Sequence, residues 1–313
     1  MEKMKQIQNI ILFKQIVDAG SLSKAADQLE ISVSQVSKRL VKLEKELGVC
    51  LIQRTTRNSA MTPAGELLYQ KAQIIDMQAH EAWDQVLELR DEPCGQIKVA
   101  AHVSIGLRLV SKFIAEFIKR YPQIEVELYL DDNEIEFIEA GCDLAIRGYV
   151  FHGEQSLPDS GYHAKKILSL PVKYCASTKY IEQFGAPKFP NELIHHHCLN
   201  YSFHSSFTPN NTSRSWVFLV NSHIKLFPIK QVFSTNNPEA LYSMVQSGAG
   251  IGAIPYLAIE SQLTNGTLIE VLKEYNCERS DTFIFYANSK LVSKKIRLFI
   301  DELSQYCVKR SKL

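Results

Sequence analysis

Residues Ser32–Gly48 read SVSQVSKRLVKLEKELG, and the order of polar and apolar letters in this run decides the fold of the head of the chain. Val36, Leu40, Leu43 and Leu47 recur at spacings of four, three and four, the stripe of a helix that packs on one side. Ser32 with Gln35 three positions on forms a capping box at the start of that helix, and Gly48 marks its end. The other side carries Ser34, Gln35, Ser37, Lys38, Arg39 and Lys42, with no acid before Glu44. Hydroxyls, an amide and cations grouped this way are donors to phosphates and to major-groove base edges. A merely solvated face is the commoner reading of such a surface, so the flanking segments carry the decision.

Upstream, Ile10, Phe13, Ile16 and Val17 keep helical spacing and stop at Ala19-Gly20. Ser21 then caps a short helix with Ser23 in its first turn, apolar at Ala25, Ala26 and Leu29, its two alanines suited to close packing. Downstream, Cys50–Arg57 and Asn58–Met61 read as two extended arms with a basic tip at Arg54, Thr55 and Arg57. A helix-turn-helix with a basic wing is a DNA-reading geometry. The candidate DNA contacts are Ser23, Ser32, Ser34, Gln35, Ser37, Lys38, Arg39, Lys42, Arg54, Thr55 and Arg57.

Charge supports this locally and hides it globally. The net charge of the 313-residue chain is +1, but residues 1–62 hold ten Lys/Arg against six Asp/Glu. Residues 63–92 hold two against seven, and the remainder is near neutral. Local charge, not the sum, decides whether phosphates are attracted. With 45% hydrophobic and 22% charged residues, the chain has the composition of a globular protein of two or three domains, not of a disordered or fibrous one. Seven cysteines without a CxxC pair read as reduced thiols, and no apolar run is long enough for a bilayer or a signal-peptide core. The expectation is a cytoplasmic protein with no membrane contact.

The head resembles the LysR-type transcriptional regulators. The resemblance rests on Phe13, Val17, Gly20-Ser21, Ala25-Ala26, Leu29, Val36-Ser37, Leu43-Glu44, Leu47-Gly48, Leu51, Arg54 and the run Thr62–Gly65. One departure is Leu51-Ile52, where the family usually has Leu-Phe, a hydrophobic exchange.

Thr62 caps the next helix and Pro63 occupies its first turn. Leu68, Ala72, Ile75, Ala79, Ala82, Val86 and Leu89 then alternate at four and three, a heptad seam backed by acids. Such a seam serves either the helix's own domain or a partner helix, and the narrow stripe favours the partner. The resemblance implies that this linker pairs with its twin, giving a dimer and then a dimer of dimers on promoter DNA, with RNA polymerase as a further partner. The seam ends at Asp91-Glu92-Pro93.

Beyond Pro93 the period changes. Strands at Gln96–Ala101, Ile124–Leu130 and Leu144–Ile146 alternate with helices, one carrying Leu107, Val110, Phe113, Ile114 and Phe117 and one over Ile135–Ala140, which predicts a mainly parallel sheet. A second set includes strands Val172–Ala176, Cys198–Tyr201, Trp216–Val220, Val232–Ser234 and Gly252–Ile254, with helices Lys179–Phe184 and Pro238–Ser247. Strand Phe283–Ala287 and helix Ser293–Gln305 are expected to return to the first lobe. The overall class is α/β: an all-α winged head (1–62), a linker helix (63–92) and a two-lobed body (93–313). Lobe I is expected at about 93–166 and 268–313, and lobe II at about 167–267. The resemblance gives the body a periplasmic-binding-protein-like fold with a small-molecule effector between the lobes.

Ligands of open α/β sheets sit beyond the carboxyl ends of strands. The candidate effector contacts are therefore His102, Val103, Ser104 and Arg147 on one side, with Tyr201, Ser202, Phe203, Thr235 and Asn236 opposite. The helix start after His102 and the absence of an acid near Arg147 point to an anionic or polar effector. Adjacent histidines at His195–His197 cannot all face one ion, so no metal is expected, and no cofactor motif appears. Cys175 and Cys198 are read as buried thiols rather than oxidant sensors. No catalytic constellation is evident. Of the rival readings, an exported solute-binding protein is disfavoured by the lack of an expected export signal and by the basic head, and a two-lobed enzyme by the absence of a catalytic constellation.

Overall fold

The computed structural model describes every residue except 1, 55–58, 88–91, 133–140, 153–156, 158–160, 202–213, 288–291 and 311–313. The chain divides after Glu92 into two compact units. The first contains α1 (Glu2–Ala19), α2 (Leu22–Gln28), α3 (Val33–Leu47), β1 (Ile52–Arg54), β2 (Ser59–Met61) and α4 (Pro63–Leu87). Its core gathers Leu12, Phe13, Ile16, Ala25, Ala26, Val36, Leu40, Leu43 and Leu51. Leu47, expected in that core, is 47% exposed, because the last turn of α3 runs past the core before Gly48 reverses the chain in the left-handed region. The Glu44 carboxylate accepts the Leu51 and Ile52 N–H groups and so ties α3 to the first arm of the wing. The arms pair antiparallel, Ile52 against Met61 and Arg54 against Ser59. Thr62 Oγ1 donates to the Cys50 carbonyl at 2.7 Å and accepts the Gly65 N–H at 3.0 Å. Gly65 is required there, since a Cβ would collide with the Leu51 carbonyl.

The second unit opens with β3 (Gly95–Ala101), α5 (Val103–Ile105), a π turn (Gly106–Val110) and α6 (Ser111–Arg120), the last three forming one continuous helical stretch. Then follow β4 (Ile124–Leu130), β5 (Leu144–His152), β6 (His163–Ser177), α7 (Thr178–Phe184), β7 (His197–Tyr201), β8 (Ser215–Val220) and β9 (His223–Pro228). The unit is completed by β10 (Lys230–Thr235), α8 (Pro238–Gln246), β11 (Ile251–Pro255), α9 (Tyr256–Thr264), β12 (Leu268–Glu270), β13 (Glu278–Tyr286) and α10 (Lys294–Arg310). The helix expected over Ile135–Ala140 lies outside the described residues.

One sheet runs β10-β7-β11-β6-β13-β5-β3-β4, with β12 paired to β6. The sheet is mixed rather than mainly parallel. β3 pairs parallel with β4 and β5, and β7 with β10 and β11, but β6 and β13 run against their neighbours. The cause is β6, whose first half pairs with β13 and whose second half pairs with β11 and β12, so that one long strand serves both lobes. A sequence reading that began this strand at Val172 missed its first half. β8 and β9 form a hairpin outside this sheet, its turn at Asn221 and Ser222 having positive φ. Lobe I packs α6 and α10 on one sheet face through Phe113, Phe117, Phe299 and Leu303. Lobe II has two cores, one around Tyr174, Trp216 and Phe218 and one around Leu241, Val245 and Ile259.

Candidate functional site

The outward side of α3 is set by its buried side. With Val36, Leu40 and Leu43 in the core, the 3.6-residue period turns Val33, Ser34, Lys38, Val41, Lys42 and Lys45 to solvent. Two expected groove contacts also make hydrogen bonds within the head. Gln35 Oε1 accepts the Ser32 N–H at 3.1 Å, while Ser32 Oγ accepts the Gln35 N–H, closing the capping box. Arg39 Nε donates to Asn9 Oδ1 at 3.3 Å and Nη2 to the Gln8 carbonyl at 3.5 Å, so its guanidinium lies along α1 rather than facing outward. In the free chain Arg39 thus occupies the flank of α3. Ser34 Oγ sits 3.0 Å from Ser32 Oγ, Ser37 is half-buried, and Lys42 pairs with Glu46 at 3.7 Å. Ser23 is exposed in the first turn of α2. Arg54 ends β1, and Thr55 and Arg57 lie outside the described residues.

The heptad residues of α4 divide between two roles. Leu68 packs against the head core and Ala72 is fully buried, so these two serve the head's own domain, contrary to the expectation of a single free seam. Lys14 fastens this end of α4 to α1, reaching Asp76 at 3.2 Å and Asp18 at 2.8 Å, while the Tyr69 hydroxyl donates to Asp18. Ile75 is half-buried. Further along, Ala79, Ala82 and Val86 are exposed, beside Ile74 and Trp83, the latter 71% exposed. Leu89 lies outside the described residues.

In the body, β3 delivers His102 to the N-cap of α5, and Ser104 is the second helical residue rather than the cap. The helix start already faces an anion. The Val103 N–H donates to Asp132 Oδ1 at 3.0 Å, an acid from the segment after β4. Arg147 is only 5% exposed and sits inside β5, which runs on to His152, rather than at the end of its strand. Its Nη1 donates to the Asp131 carbonyl at 2.8 Å, and its charge also reaches Asp132. Burial raises the Asp132 pKa, and the Val103 N–H and Arg147 pull it back only in part. The His102 ring accepts the Gly148 N–H through Nδ1 at 3.2 Å, which leaves the proton on Nε2. Burial, with Arg147 beside it, pushes the His102 pKa down to about 3, so the ring is neutral.

Lobe II contributes Tyr201, whose pKa is raised by burial and by Asp132. Thr235 Oγ1 accepts the Asn237 N–H, and Asn237 caps α8 by accepting from Glu239 and Ala240, while Asn236 is exposed. Ser202 and Phe203 lie outside the described residues. The sequence reading missed a clamp between the lobes. Arg108 in the π turn binds the Glu239 carboxylate through two nitrogens and lies 4.7 Å over the Tyr242 ring. Asn237-Pro238 is a legible helix start, but nothing local to Arg108 or Asp132 names its partner.

His196 Nδ1 lies 3.3 Å from the Tyr180 hydroxyl, which accepts the His197 N–H, so the neighbouring histidines are bound into lobe II. Cys175 and Cys198 are fully buried, and burial pushes both thiols up to about 12. Among the described residues no helix is long and apolar enough to cross a membrane.

Comparison with known proteins gives these two units a common identity. Residues 7–66 match the bacterial regulatory helix-turn-helix protein of the lysR family, and residues 90–308 match the LysR substrate binding domain. The probable HTH-type transcriptional regulator LtrA of Klebsiella pneumoniae is 30% identical over 300 residues, spanning 95% of this chain and 93% of its own. The HTH-type transcriptional regulator CrgA of Neisseria meningitidis serogroup B is 31% identical, covering 95% of each chain. The solved structure of Neisseria meningitidis CrgA superposes with a TM-score of 0.60 at 29% identity, over 96% of this chain and 98% of that one. That of the Vibrio cholerae virulence activator AphB has a TM-score of 0.64 at 22% identity, over 96% and 98%, and shares the fold. A lysine-edged recognition helix, a two-lobed α/β body and matches over nearly the whole length together establish that the chain belongs to the LysR family of transcriptional regulators.

Proposed function

We propose that this regulator works in the cytoplasm as a homodimer or dimer of dimers on promoter DNA, with RNA polymerase as a further partner and without catalysis of its own. The observation that carries the reading is the outward face of α3, where Ser34, Lys38, Lys42 and Lys45 stand opposite a closed apolar core. Arg54, Thr55 and Arg57 of the wing add basic contacts to the phosphates on the flank. The exposed stripe of α4 at Ala79, Ala82 and Val86, with Trp83 at its edge, is the dimer surface. Fluorescence anisotropy on promoter duplexes tests the DNA face. Lys38→Ala weakens binding and lowers the salt slope by about 0.9 if it meets a phosphate. Unchanged affinity and slope for both Lys38→Ala and Lys42→Ala reject the assignment. Light scattering tests the surface on α4, where Ala82→Glu puts a charge into the contact and gives monomers.

The effector is a small polar or anionic molecule held between the lobes. Its acceptor groups compete with Asp132 for the Val103 N–H and the field of Arg147, with Ser104, Tyr201 and Asn236 around them. Ser104→Phe fills this space, so DNA binding persists while the response to inducing conditions is lost. A normal response from that variant places the signal elsewhere.

A further inference from the structure

The recognition helix carries two valines that its fold does not use. Val33 is 44% exposed and Val41 is 52% exposed, on a helix whose core positions are already filled by Val36, Leu40 and Leu43. Helical spacing places Val41 between Lys38 and Lys45 on the outward side, while Val33, the first residue of the helix, is exposed on the flank one turn before the half-buried Ser37. Val41 therefore lies among the outward lysines and Val33 at the exposed N-terminal end of the same helix.

The side chains that discriminate bases most sharply are Arg on guanine and Asn or Gln on adenine, each through two hydrogen bonds. Here Arg39 is held by Asn9 and the Gln8 carbonyl, and Gln35 is held in the capping box. Lys38 and Lys42 supply charge to phosphate or a single guanine contact. The Ser34 hydroxyl and the Gln35 amide N–H groups can each reach a base edge, whereas thymine alone presents a C5-methyl group in the major groove on which a valine methyl can pack. Val33 stands in the first turn, the end of a recognition helix that reaches base edges. Val41 follows about 12 Å further along the axis, roughly three or four base-pair steps.

We propose that Val33 and Val41 select thymines in the operator by packing their methyl groups on the thymine C5-methyl. The proposal rests on the DNA-binding reading of α3 and adds which bases the helix prefers and by what contact. It assigns specificity to two residues that a search for polar readers passes over.

The test uses the full-length protein and a random-sequence duplex library, from which bound duplexes are selected. In the enriched duplex each thymine is then replaced singly by deoxyuridine, which removes the methyl group and keeps the base pair. Two positions are expected to lose about four-fold in affinity on replacement, the value of one buried methyl. Val33→Ala abolishes the uracil effect at one of them and Val41→Ala at the other, and each variant by itself weakens binding by a similar factor. Both residues are exposed, so the head core is untouched by these substitutions. Uracil that is silent at every thymine, or that keeps its effect in both valine variants, overturns the proposal and leaves DNA binding standing. No enriched duplex at all overturns the DNA-binding reading, and this proposal with it.

Discussion

The helices that begin at Val33 and Val103 close their first turns in opposite ways. Ser32 and Gln35 satisfy one another within three residues, in water, with neutral groups. The Val103 N–H is satisfied by Asp132, an ionisable group that arrives from beyond β4 and shares its surroundings with the buried Arg147. The helix end on the exposed side of the head is closed locally, and the closure demands nothing of the rest of the fold. A helix end inside an α/β body is closed by a distant charge in a low dielectric, where pairing and desolvation are both large. Stability at the second helix should therefore depend on pH and on remote residues, and at the first on neither.

The largest expected effect is acid sensitivity in the body. The His102 pKa is held down at about 3 against an unfolded value near 6.5, chiefly by burial. A lowered histidine pKa contributes stability that is complete above pH 6.5 and is lost as pH falls toward 3. The slope approaches 1.4 kcal/mol per pH unit at most. Glu278 runs the other way, because burial raises it to about 7 and its contribution is lost as pH rises toward that value. The His102 contribution is therefore read as the difference between wild type and His102→Asn in urea unfolding from pH 7 to pH 4. That difference should shift in the variant's favour as acid is added. A constant difference would mean that the ring is not held neutral.

Asp132→Ala comes next. It removes the acceptor from Val103 and takes a carboxylate out of the field of Arg147, a change that in a well-buried pair costs about 3–5 kcal/mol. Asp132 is only half-buried and burial raises its pKa, so the loss is smaller than for a fully buried pair. Asp132→Asn keeps the acceptor and should fall between wild type and alanine in chemical denaturation. Ser32→Ala loses the local cap for about 1 kcal/mol, in the head alone. Equal losses from Ser32→Ala and Asp132→Ala would erase the distinction between the two helix starts.

The same contrast explains what was legible in the residues. Motifs that close within four positions could be read directly: the box at Ser32 and Gln35, the Thr62-Pro63 helix start, and the stripe Val36, Leu40, Leu43. Partners about thirty or more positions apart leave no local mark, which is why Asp132 on Val103, Asn9 on Arg39 and Glu239 on Arg108 went unforeseen. Arg147 looked unaccompanied for this reason, and its strand looked to end six residues early. Periodicity also fails to name what a stripe faces. Leu68 and Ala72 fit a heptad, but they pack into their own head, because alternate spacings of four and three suit either partner over so short a run.

The smallest effect separates structural from reading residues on α3 itself. Arg39 makes long contacts to Asn9 and to the Gln8 carbonyl at a partly exposed site, so Arg39→Ala should cost the head well under 1 kcal/mol. If the proposed face of α3 meets DNA, the loss of this charge lowers affinity for all duplexes alike, with a shallower salt dependence. Base preference should be unchanged, because the guanidinium is turned along α1. Lys38→Ala, on the outward side, should weaken binding more at equal stability. The decisive measurement is library selection with the Arg39→Ala protein. Enrichment of the wild-type sequence keeps Arg39 on the flank, whereas loss of a conserved guanine from the selected duplexes would show that the side chain leaves Asn9 and enters the groove on binding.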